Sequence, residues 1–302
     1  MKSNVTEPSH AFRHALPLFL FAGLCLSSLD TTAKYLVRDH SLLLVVWARY
    51  AGQTLVVTPF AWASAGPGFW RTRRWPLQIA RSAFLLGATG CFFGGLRFLP
   101  LAEASSITFL APVIVAALSY PLLGERPTRP RIIASLAGFC GIVILLRPGS
   151  AVFHPAALLL IVAAACNALY QMLTRKLLGE RVHTTLFYSA IVGTIGLSAL
   201  VPFALREAAL SLIDAFLLVL LGTLAGLGHW FLTRAYMMAP ASQLTPFTYL
   251  QIAWATAFGF LVFGQHPDGW SAVGMAIIAA SGLWLARAER RHFRRGLSTN
   301  RL

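Results

Sequence analysis

The chain has 302 residues, of which 57% are hydrophobic and 12% are charged. Soluble domains carry roughly 25% charged residues, so this composition argues against a soluble protein built around one core. The formal net charge of +15 does not indicate a nucleic-acid partner, because the Lys and Arg residues stand at the ends of apolar runs rather than along one face.

Ten apolar runs have about the ~20 residues that a helix needs to cross a bilayer. In chain order they cover residues 15–36, 42–63, 80–99, 102–123, 131–147, 156–175, 184–204, 211–234, 242–264 and 270–287. The first run is predicted to be a span rather than a removed signal peptide, because no small-residue cleavage site and soluble chain follow it. The sequence therefore predicts an all-α integral membrane protein with ten transmembrane helices.

The loops between these spans divide the positive residues unevenly. With the N-terminus in the cytoplasm, Arg49 lies inside a span and the outer loops hold Lys34, Arg38, Arg97, Arg147 and Arg206. All other Lys and Arg residues then face the cytoplasm, as the positive-inside rule requires. We therefore expect a multi-pass protein of the bacterial inner (plasma) membrane with both termini in the cytoplasm.

The second half of the chain repeats the first half weakly. Arg97 corresponds to Arg234 at an offset of 137 residues, and Gly124 corresponds to Gly264 at an offset of 140 residues. The change in offset predicts about three extra residues between the paired segments of the second half. Internal repeats of this kind occur in secondary transporters, where the substrate site lies between the halves.

Each half contains five predicted spans, and an odd number of crossings gives the two halves opposite orientations in the membrane. The predicted organisation is two inverted five-helix repeats, covering residues 15–147 and 156–287, followed by a basic cytoplasmic tail over residues 288–302.

Several motifs, in order, resemble those of a known family. The residues from "GGLRFLPLAEASS" to "ILLRPG" and from "HWFLTRAYMMAPASQ" to "ASGLWL" are similar to the ends of the two EamA repeats of the drug/metabolite transporter superfamily. "SLDTTAKYL" and "VVWARY" resemble the opening of a subgroup that includes bacterial riboflavin and S-adenosylmethionine uptake carriers. The resemblance covers about residues 15–287. Gln265 stands where the family pattern usually has Glu, so a helix cap at this position would lose a charge but keep a hydrogen-bond acceptor.

This resemblance implies a ten-helix transporter of small molecules. Members of the superfamily move amino acids, nucleotide sugars, vitamins, metallophores and drugs, so the resemblance does not select one substrate.

Asp30 and Arg49 are ionisable residues inside predicted spans, where a charge costs about 2.5–3.5 kcal/mol. Lys34 follows Asp30 by one helical turn, so the two could form a self-neutralising pair, with Lys34 extended toward the lipid headgroups. Alternatively, Asp30 faces a central cavity, where it titrates or binds a cationic group. Arg49 lies ~10 Å into its span. We expect it to face the cavity and either pair with Asp30 or bind an anionic group of the substrate.

Polar residues of the sixth and eighth predicted spans are further candidates for substrate binding or coupling. Asn167 and Gln171 are four residues apart and are predicted to face one way, with Tyr170 beside them. His229 is either a proton relay or a buried structural histidine that is held by hydrogen bonds.

The ninth predicted span combines ring surfaces with hydrogen-bonding groups. Tyr249, Gln251 and Trp254 would suit a flat, polar, ring-bearing substrate. Alternatively, amides of this kind join helices and aromatic rings face lipid. Pro246 removes a backbone donor, which favours a broken helix with free carbonyl groups.

The motifs of other function classes are absent from the sequence. The four cysteines lack CxxC spacing, so neither a disulfide framework nor a metal site is expected. No HExxH, GxSxG or Walker motif and no pair of catalytic carboxylates is present. A membrane-embedded enzyme is therefore disfavoured, an ATP-driven pump is excluded, and no cofactor is expected. A channel would need polar groups along several helices, whereas here they gather in a few.

The sequence thus predicts a secondary active transporter that moves a small polar or aromatic metabolite across the bacterial inner membrane by alternating access. An exporter of amino acids, metallophores or drugs on the same fold is the alternative. The expected partners are a small-molecule substrate and the lipid bilayer. Small residues four apart, such as Ala134/Gly138 and Ala276/Ala280, allow close helix contact either within one protomer or in a homodimer.

Overall fold

The computed structural model describes residues 8–124, 128–149, 153–177, 179–206, 210–239 and 241–299. All regular secondary structure in these ranges is helical. The first repeat contains α1 (Pro8–Asp39), α2 (Leu42–Ala65), α3 (Trp75–Leu96), α4 (Leu101–Thr108), α5 (Ala111–Leu123) and α6 (Arg129–Leu146). The second contains α7 (Ala157–Lys176), α8 (Val182–Ser198), α9 (Val201–Arg206), α10 (Leu212–Met238), α11 (Ala241–Leu244), a 3-10 segment (Thr245–Tyr249), α12 (Leu250–Phe263) and α13 (Gly269–Thr299).

The apolar helices are consistent with a multi-pass membrane protein. Within the described ranges, 8 helical segments are long and apolar enough to cross a bilayer, and two shorter apolar segments cover Val182–Ser198 and Phe247–Phe263. Large apolar side chains such as Leu55, Phe203 and Leu261 are exposed on the outer surface of the bundle. Such a surface requires lipid rather than water around it.

The structure divides the fourth and ninth predicted spans. The fourth was expected to be one helix and is corrected, whereas Pro246 already favoured a broken helix in the ninth. The fourth is broken between α4 and α5 at Phe109 and Leu110, and the ninth is broken by the 3-10 segment Thr245–Tyr249. Pro112 and Pro246 lie at these breaks, where a proline removes a backbone donor and disfavours a continuous helix. The break is two residues long in the first repeat and five residues long in the second. This difference accounts for the three-residue change in the repeat offset.

The helices of the two repeats pack in a pattern that has two-fold symmetry. Helix α1 packs on α10, and its counterpart α7 packs on α3. Helix α2 packs on its own counterpart α8, and α6 packs on its own counterpart α13. Each repeat therefore supplies half of every major interface, and the space between the repeats lies at the centre of the molecule.

Glycines let helices from different repeats approach closely. A Cβ atom built on Gly52 of α2 would lie 2.6 Å from the Cα atom of Gly222 in α10. A Cβ atom on Gly141 of α6 would lie 2.9 Å from the carbonyl oxygen of Gly274 in α13. Ala134 and Gly138 of α6, which the sequence singled out, are buried within the protomer, whereas Ala276 and Ala280 of α13 are exposed.

Two glycines one turn apart in α8 provide a matched test of this packing. A Cβ atom on Gly193 would lie 2.5 Å from the Cγ atom of Tyr50, a fully buried ring of α2, while a Cβ atom on Gly196 would meet nothing within 4 Å. Overpacking of this kind costs about 1–3 kcal/mol. We expect Gly193→Ala to lower the melting temperature of the purified protein in detergent by several degrees and Gly196→Ala to leave it unchanged. Equal melting temperatures for both variants would contradict this packing.

Candidate functional site: a polar cavity between the repeats

A central cavity of about 220 Å³ lies between the two repeats. Its polar lining comes from both repeats: Asp30 (α1), Arg49 (α2), Thr89 (α3), Thr108 (α4), Asn167 (α7), His229 (α10) and Gln251 (α12). Thr108 is the last residue before the first helix break, and Gln251 is the second residue after the second break. The broken helices therefore bring polar groups to the middle of an otherwise apolar bundle.

Asp30 and Arg49 place opposite charges on this cavity. Asp30 is half-buried, and Arg49 is 5% exposed with its guanidinium 4.6 Å from the centre of the Tyr50 ring. The Arg49 charge acts on the Asp30 carboxylate, and the Gln251 amide approaches the same carboxylate as a hydrogen-bond donor. The Nη1 atom of Arg49 is buried and has no hydrogen-bond partner among the described residues. Arg49 therefore keeps a donor available for a ligand.

Lys34 does not extend to the lipid headgroups, which corrects one of the two sequence interpretations of this region. The side chain is 2% exposed, and its Nζ atom donates to the carbonyl oxygens of Leu96 and Leu99, at 2.7 and 2.5 Å. These carbonyl groups lie at and just beyond the C-terminal end of α3, where the helix dipole favours a positive charge. Lys34 therefore joins α1 to the end of α3 rather than binding Asp30, which lines the central cavity.

The repeat relation pairs cavity residues that differ in chemistry. Asp30 of α1 and Asn167 of α7 are separated by the offset of 137 residues, and so are Phe92 of α3 and His229 of α10. All four residues line the central cavity. The two-fold arrangement therefore places an acid opposite an amide and an aromatic ring opposite an imidazole, so a nearly symmetric scaffold carries an asymmetric site.

His229 has the hydrogen bond expected of a structural histidine and also lines the cavity. Its Nδ1 atom lies 2.9 Å from the carbonyl oxygen of Ala225. Because a carbonyl oxygen only accepts hydrogen bonds, the Nδ1 atom carries the proton. A neutral His229 therefore keeps its Nε2 atom as a hydrogen-bond acceptor.

Two predicted site residues of α7 lie outside the cavity. Gln171 is exposed, although its spacing of four residues places it within about 40° of Asn167 around the helix. The Tyr170 hydroxyl group accepts a hydrogen bond of 2.7 Å from the Nη2 atom of Arg81. The predicted common face of α7 is therefore wrong for Gln171, and Tyr170 belongs to a different polar group.

That group is centred on Arg81, which sequence reasoning placed with the loop residues. Arg81 is 3% exposed, and in addition to the bond to Tyr170 it donates to Thr174, to Ser189 and to the carbonyl oxygen of Thr185. Helix α3 begins at Trp75 rather than near residue 80, so Arg81 lies deeper than expected. With the start of α3 known, the depth of Arg81 in its helix would have made it a candidate in the same way as Arg49.

The remaining two candidates lie beside the cavity rather than on it. The Tyr249 ring stacks on Phe109, with centroids 4.9 Å apart, so the two helix breaks contact each other. Trp254 lines a second cavity of about 140 Å³, the side cavity, which lies between α1, α10 and α12. The central and side cavities share Leu26 and Gln251.

The central cavity is suited to binding rather than to bond cleavage. It offers one carboxylate, one guanidinium, two amides, one imidazole and two hydroxyl groups, with Phe92 and Phe93 as apolar walls. Among the described residues, no three His, Cys, Asp or Glu side chains lie close enough together to hold a metal ion. A carboxylate and a guanidinium on one cavity complement a ligand that carries both an ammonium and a carboxylate group.

Comparison with known proteins finds transporters that are similar over most of the chain. The chain matches the EamA-like transporter family twice, over residues 14–147 and 154–287. It is 28% identical to the S-adenosylmethionine uptake transporter of Rickettsia conorii over 280 residues, which covers 92% of this chain and 94% of that protein. It is 29% identical to the riboflavin transporter of Rhizobium johnstonii over 300 residues, which covers 97% of each. A solved crystal structure with 22% identity superposes with a TM-score of 0.64, covering 92% of this chain and 98% of that chain, and shows that the fold is shared.

The Arg81 group predicts a graded effect on stability. Arg81→Gln leaves several buried partners unsatisfied, and each such loss costs about 1–3 kcal/mol. We expect a lower melting temperature in detergent for Arg81→Gln and a smaller decrease for Tyr170→Phe, which removes one bond. The exposed Arg71 supplies the control, Arg71→Gln, which should melt like the wild type. A melting temperature for Arg81→Gln equal to that of the control would contradict the assignment.

Proposed function

The chain belongs to the EamA-like transporter family, and we propose that it is a secondary carrier that takes up a zwitterionic metabolite across the bacterial inner membrane. The observation that carries this proposal is the convergence of Asp30, Arg49, Asn167, His229 and Gln251, from five helices, on one cavity between the repeats. In this account the Asp30 carboxylate binds an ammonium group of the substrate and the Arg49 guanidinium binds its carboxylate.

The charges of Asp30 and Arg49 distinguish between S-adenosylmethionine and riboflavin, the substrates that appear in the names of the two relatives. S-adenosylmethionine carries an amino-acid head with an ammonium and a carboxylate group, whereas riboflavin is uncharged at neutral pH. An uncharged substrate would desolvate Asp30 and Arg49 without offering an opposite charge to either, which is costly in a low-dielectric site. The charge pair therefore favours S-adenosylmethionine or a related amino-acid metabolite, and the word "uptake" in the name of the Rickettsia conorii relative favours import.

The size of the cavity supports alternating access. Pockets for drug-sized ligands hold roughly 300–1,000 Å³, so the central cavity at about 220 Å³ must widen to admit such a molecule. Rocking of one repeat against the other provides this change in carriers with internal repeats. Hydrogen bonds between the repeats occur at both ends of the bundle, so each end must break its own bonds in turn.

At one end, which we name the basic end, the loop 66–74 of the first repeat is joined to Lys176 and Glu180 of the second repeat. The Thr72 hydroxyl group donates to Glu180 at 2.8 Å, and the Arg74 guanidinium donates to the carbonyl oxygen of Lys176 at 3.1 Å. Arg81 lies farther along α3 than these loop residues, deeper in the bundle, and connects α3 to α7 and α8. Separation of α3 from α7 and α8 would open the cavity at this end.

At the opposite end, different bonds cross between the repeats. Arg147 pairs with Asp268, and the Oε1 atom of Gln265 accepts a hydrogen bond of 3.1 Å from the backbone N–H of Leu101, at the start of α4. Gln265 thus caps a helix with its acceptor, as its place in the sequence motif suggested. The backbone N–H of Ser271, followed by Arg147, holds the pKa of Asp268 below its ordinary value, so this carboxylate is charged at neutral pH.

The distribution of Lys and Arg supports a cytoplasmic position for the basic end and for both termini. A reporter enzyme that is active only in the periplasm should be silent when fused after Arg295 and active when fused after Gly149, because α6 ends at the opposite side of the membrane. Strong activity after Arg295, or silence after Gly149 with normal expression, would contradict this orientation.

The charge pair predicts the effect of two substitutions on transport. A hydrogen bond to a charged group is worth about 1.5–3 kcal/mol, so Asp30→Asn and Arg49→Gln should each lower S-adenosylmethionine counterflow in proteoliposomes at least tenfold. Asp39→Asn, at the exposed end of the same α1, and the exposed Arg71→Gln are the matched controls. The measurement is the initial rate of counterflow per reconstituted transporter.

Wild-type counterflow in Asp30→Asn and Arg49→Gln would contradict the proposed binding roles. Retention of counterflow in Asp30→Asn together with loss of concentrative uptake would instead assign Asp30 to ion coupling, because exchange needs no net movement of protons. Riboflavin counterflow that depends on neither residue would overturn the choice of a zwitterionic substrate.

A further inference from the structure

The side cavity adjoins the central cavity and differs from it in chemistry. Its lining contains no Asp, Glu, Lys, Arg or His residue and includes four aromatic rings, those of Phe19, Tyr236, Phe247 and Trp254. Phe19 and Tyr236 meet edge to face, with ring centroids 5.7 Å apart. Rings arranged around a narrow space suit a flat apolar or heteroaromatic group, which gains contact area and favourable ring packing there.

Gln251 lies on the boundary between the two cavities. It lines both, as does Leu26 on the opposing α1. Its amide approaches Asp30 in the central cavity, and it stands in the first turn of α12, directly after the 3-10 segment. An ammonium group that takes the place of the Gln251 amide at Asp30 would free this side chain to turn, which would open the boundary between the cavities.

We propose that the substrate has two parts, an amino-acid head that occupies the central cavity and a flat ring that occupies the side cavity, with Gln251 at the junction. This inference rests on the proposed function and adds the chemical class of the substrate. Each cavity alone, at about 220 and 140 Å³, is smaller than the ~300 Å³ at which pockets for drug-sized ligands begin. The two cavities together reach that size, so a head and a ring can be held at the same time.

Gly23 offers a way to fill the side cavity without disturbing the backbone. It lines the side cavity, and a Cβ atom built on it meets nothing within 4 Å. The side chain of Gly23→Phe should therefore occupy the space of the ring. Gly196→Phe is the matched control, because Gly196 also has open space around its Cβ position and is exposed on α8.

The experiment measures the ligand-induced shift in melting temperature of the purified full-length protein. The probes are L-alanine as a head alone, indole as a ring alone, and L-tryptophan and S-adenosyl-L-homocysteine as heads with rings. In the wild type, at least one compound with both parts should raise the melting temperature at concentrations at least tenfold lower than those that L-alanine and indole require. Gly23→Phe should remove this advantage and keep the response to L-alanine, while Gly196→Phe should behave like the wild type.

Two results would overturn the two-part substrate. One is a wild type in which neither compound with both parts exceeds L-alanine, and the other is a Gly23→Phe protein that keeps the full advantage. If Gly23→Phe is not recovered in folded form, Trp254→Ala replaces it, because removal of this ring should also reduce the advantage tenfold. Asp30→Asn separates the two proposals: loss of the L-alanine response supports the head site even where the ring site fails.

Discussion

The central constraint on this structure is the cost of holding Asp30 and Arg49 inside an apolar bundle. A single charge in a membrane-spanning helix costs about 2.5–3.5 kcal/mol on insertion scales, and the cost falls only where a partner, water or a ligand compensates it. Arg49 retains a buried donor without a partner among the described residues, and Asp30 has the Gln251 amide and the charge of Arg49 in its surroundings. The polar cavity between the repeats gives both charges a polar environment, and in the proposed function it also exposes them to the substrate.

The other features of the molecule follow from placing that cavity at a two-fold interface. Each repeat breaks one helix near the middle of the bundle, and the breaks meet through the stacked rings of Phe109 and Tyr249. A break exposes polar backbone where a continuous helix would satisfy it, and such backbone is tolerated in a membrane protein only where it borders a cavity or other protein. The same interface carries the hydrogen bonds at both ends, so movement between the repeats changes access to the cavity directly.

Much of the site could be predicted because polar residues are rare in this chain. Asp30, Arg49, Asn167, His229 and Gln251 stand out in apolar runs, and the structure brings them together. Their convergence could not be derived from periodicity, since it depends on which helices of the two repeats face each other. The internal repeat was the strongest guide to the fold, because its change of offset marked the longer helix break of the second repeat.

The residues that were placed wrongly from the sequence have one thing in common: segments distant in sequence determine their surroundings. Lys34 was considered with Asp30, four residues away, whereas its partners are carbonyl groups at the end of α3. Arg81 was considered a loop residue, whereas α7 and α8 supply its partners. Gln171 was judged by spacing along one helix, but the exposed side of α7 at its level is decided by neighbouring helices. Spacing predicts a shared direction, and only tertiary packing decides what lies there.

Binding of the carboxylate of an amino-acid substrate by Arg49 is the central feature of the proposed transport site. The most direct test is to measure binding of one transported amino-acid metabolite and of the matching amine without its carboxylate, to the wild type and to Arg49→Gln. If Arg49 binds the carboxylate, Arg49→Gln weakens binding of the amino acid at least tenfold, in line with about 1.4 kcal/mol per factor of ten, and leaves binding of the amine unchanged. An equal loss for both compounds would contradict it, because Arg49 would then support the cavity without contacting the carboxylate.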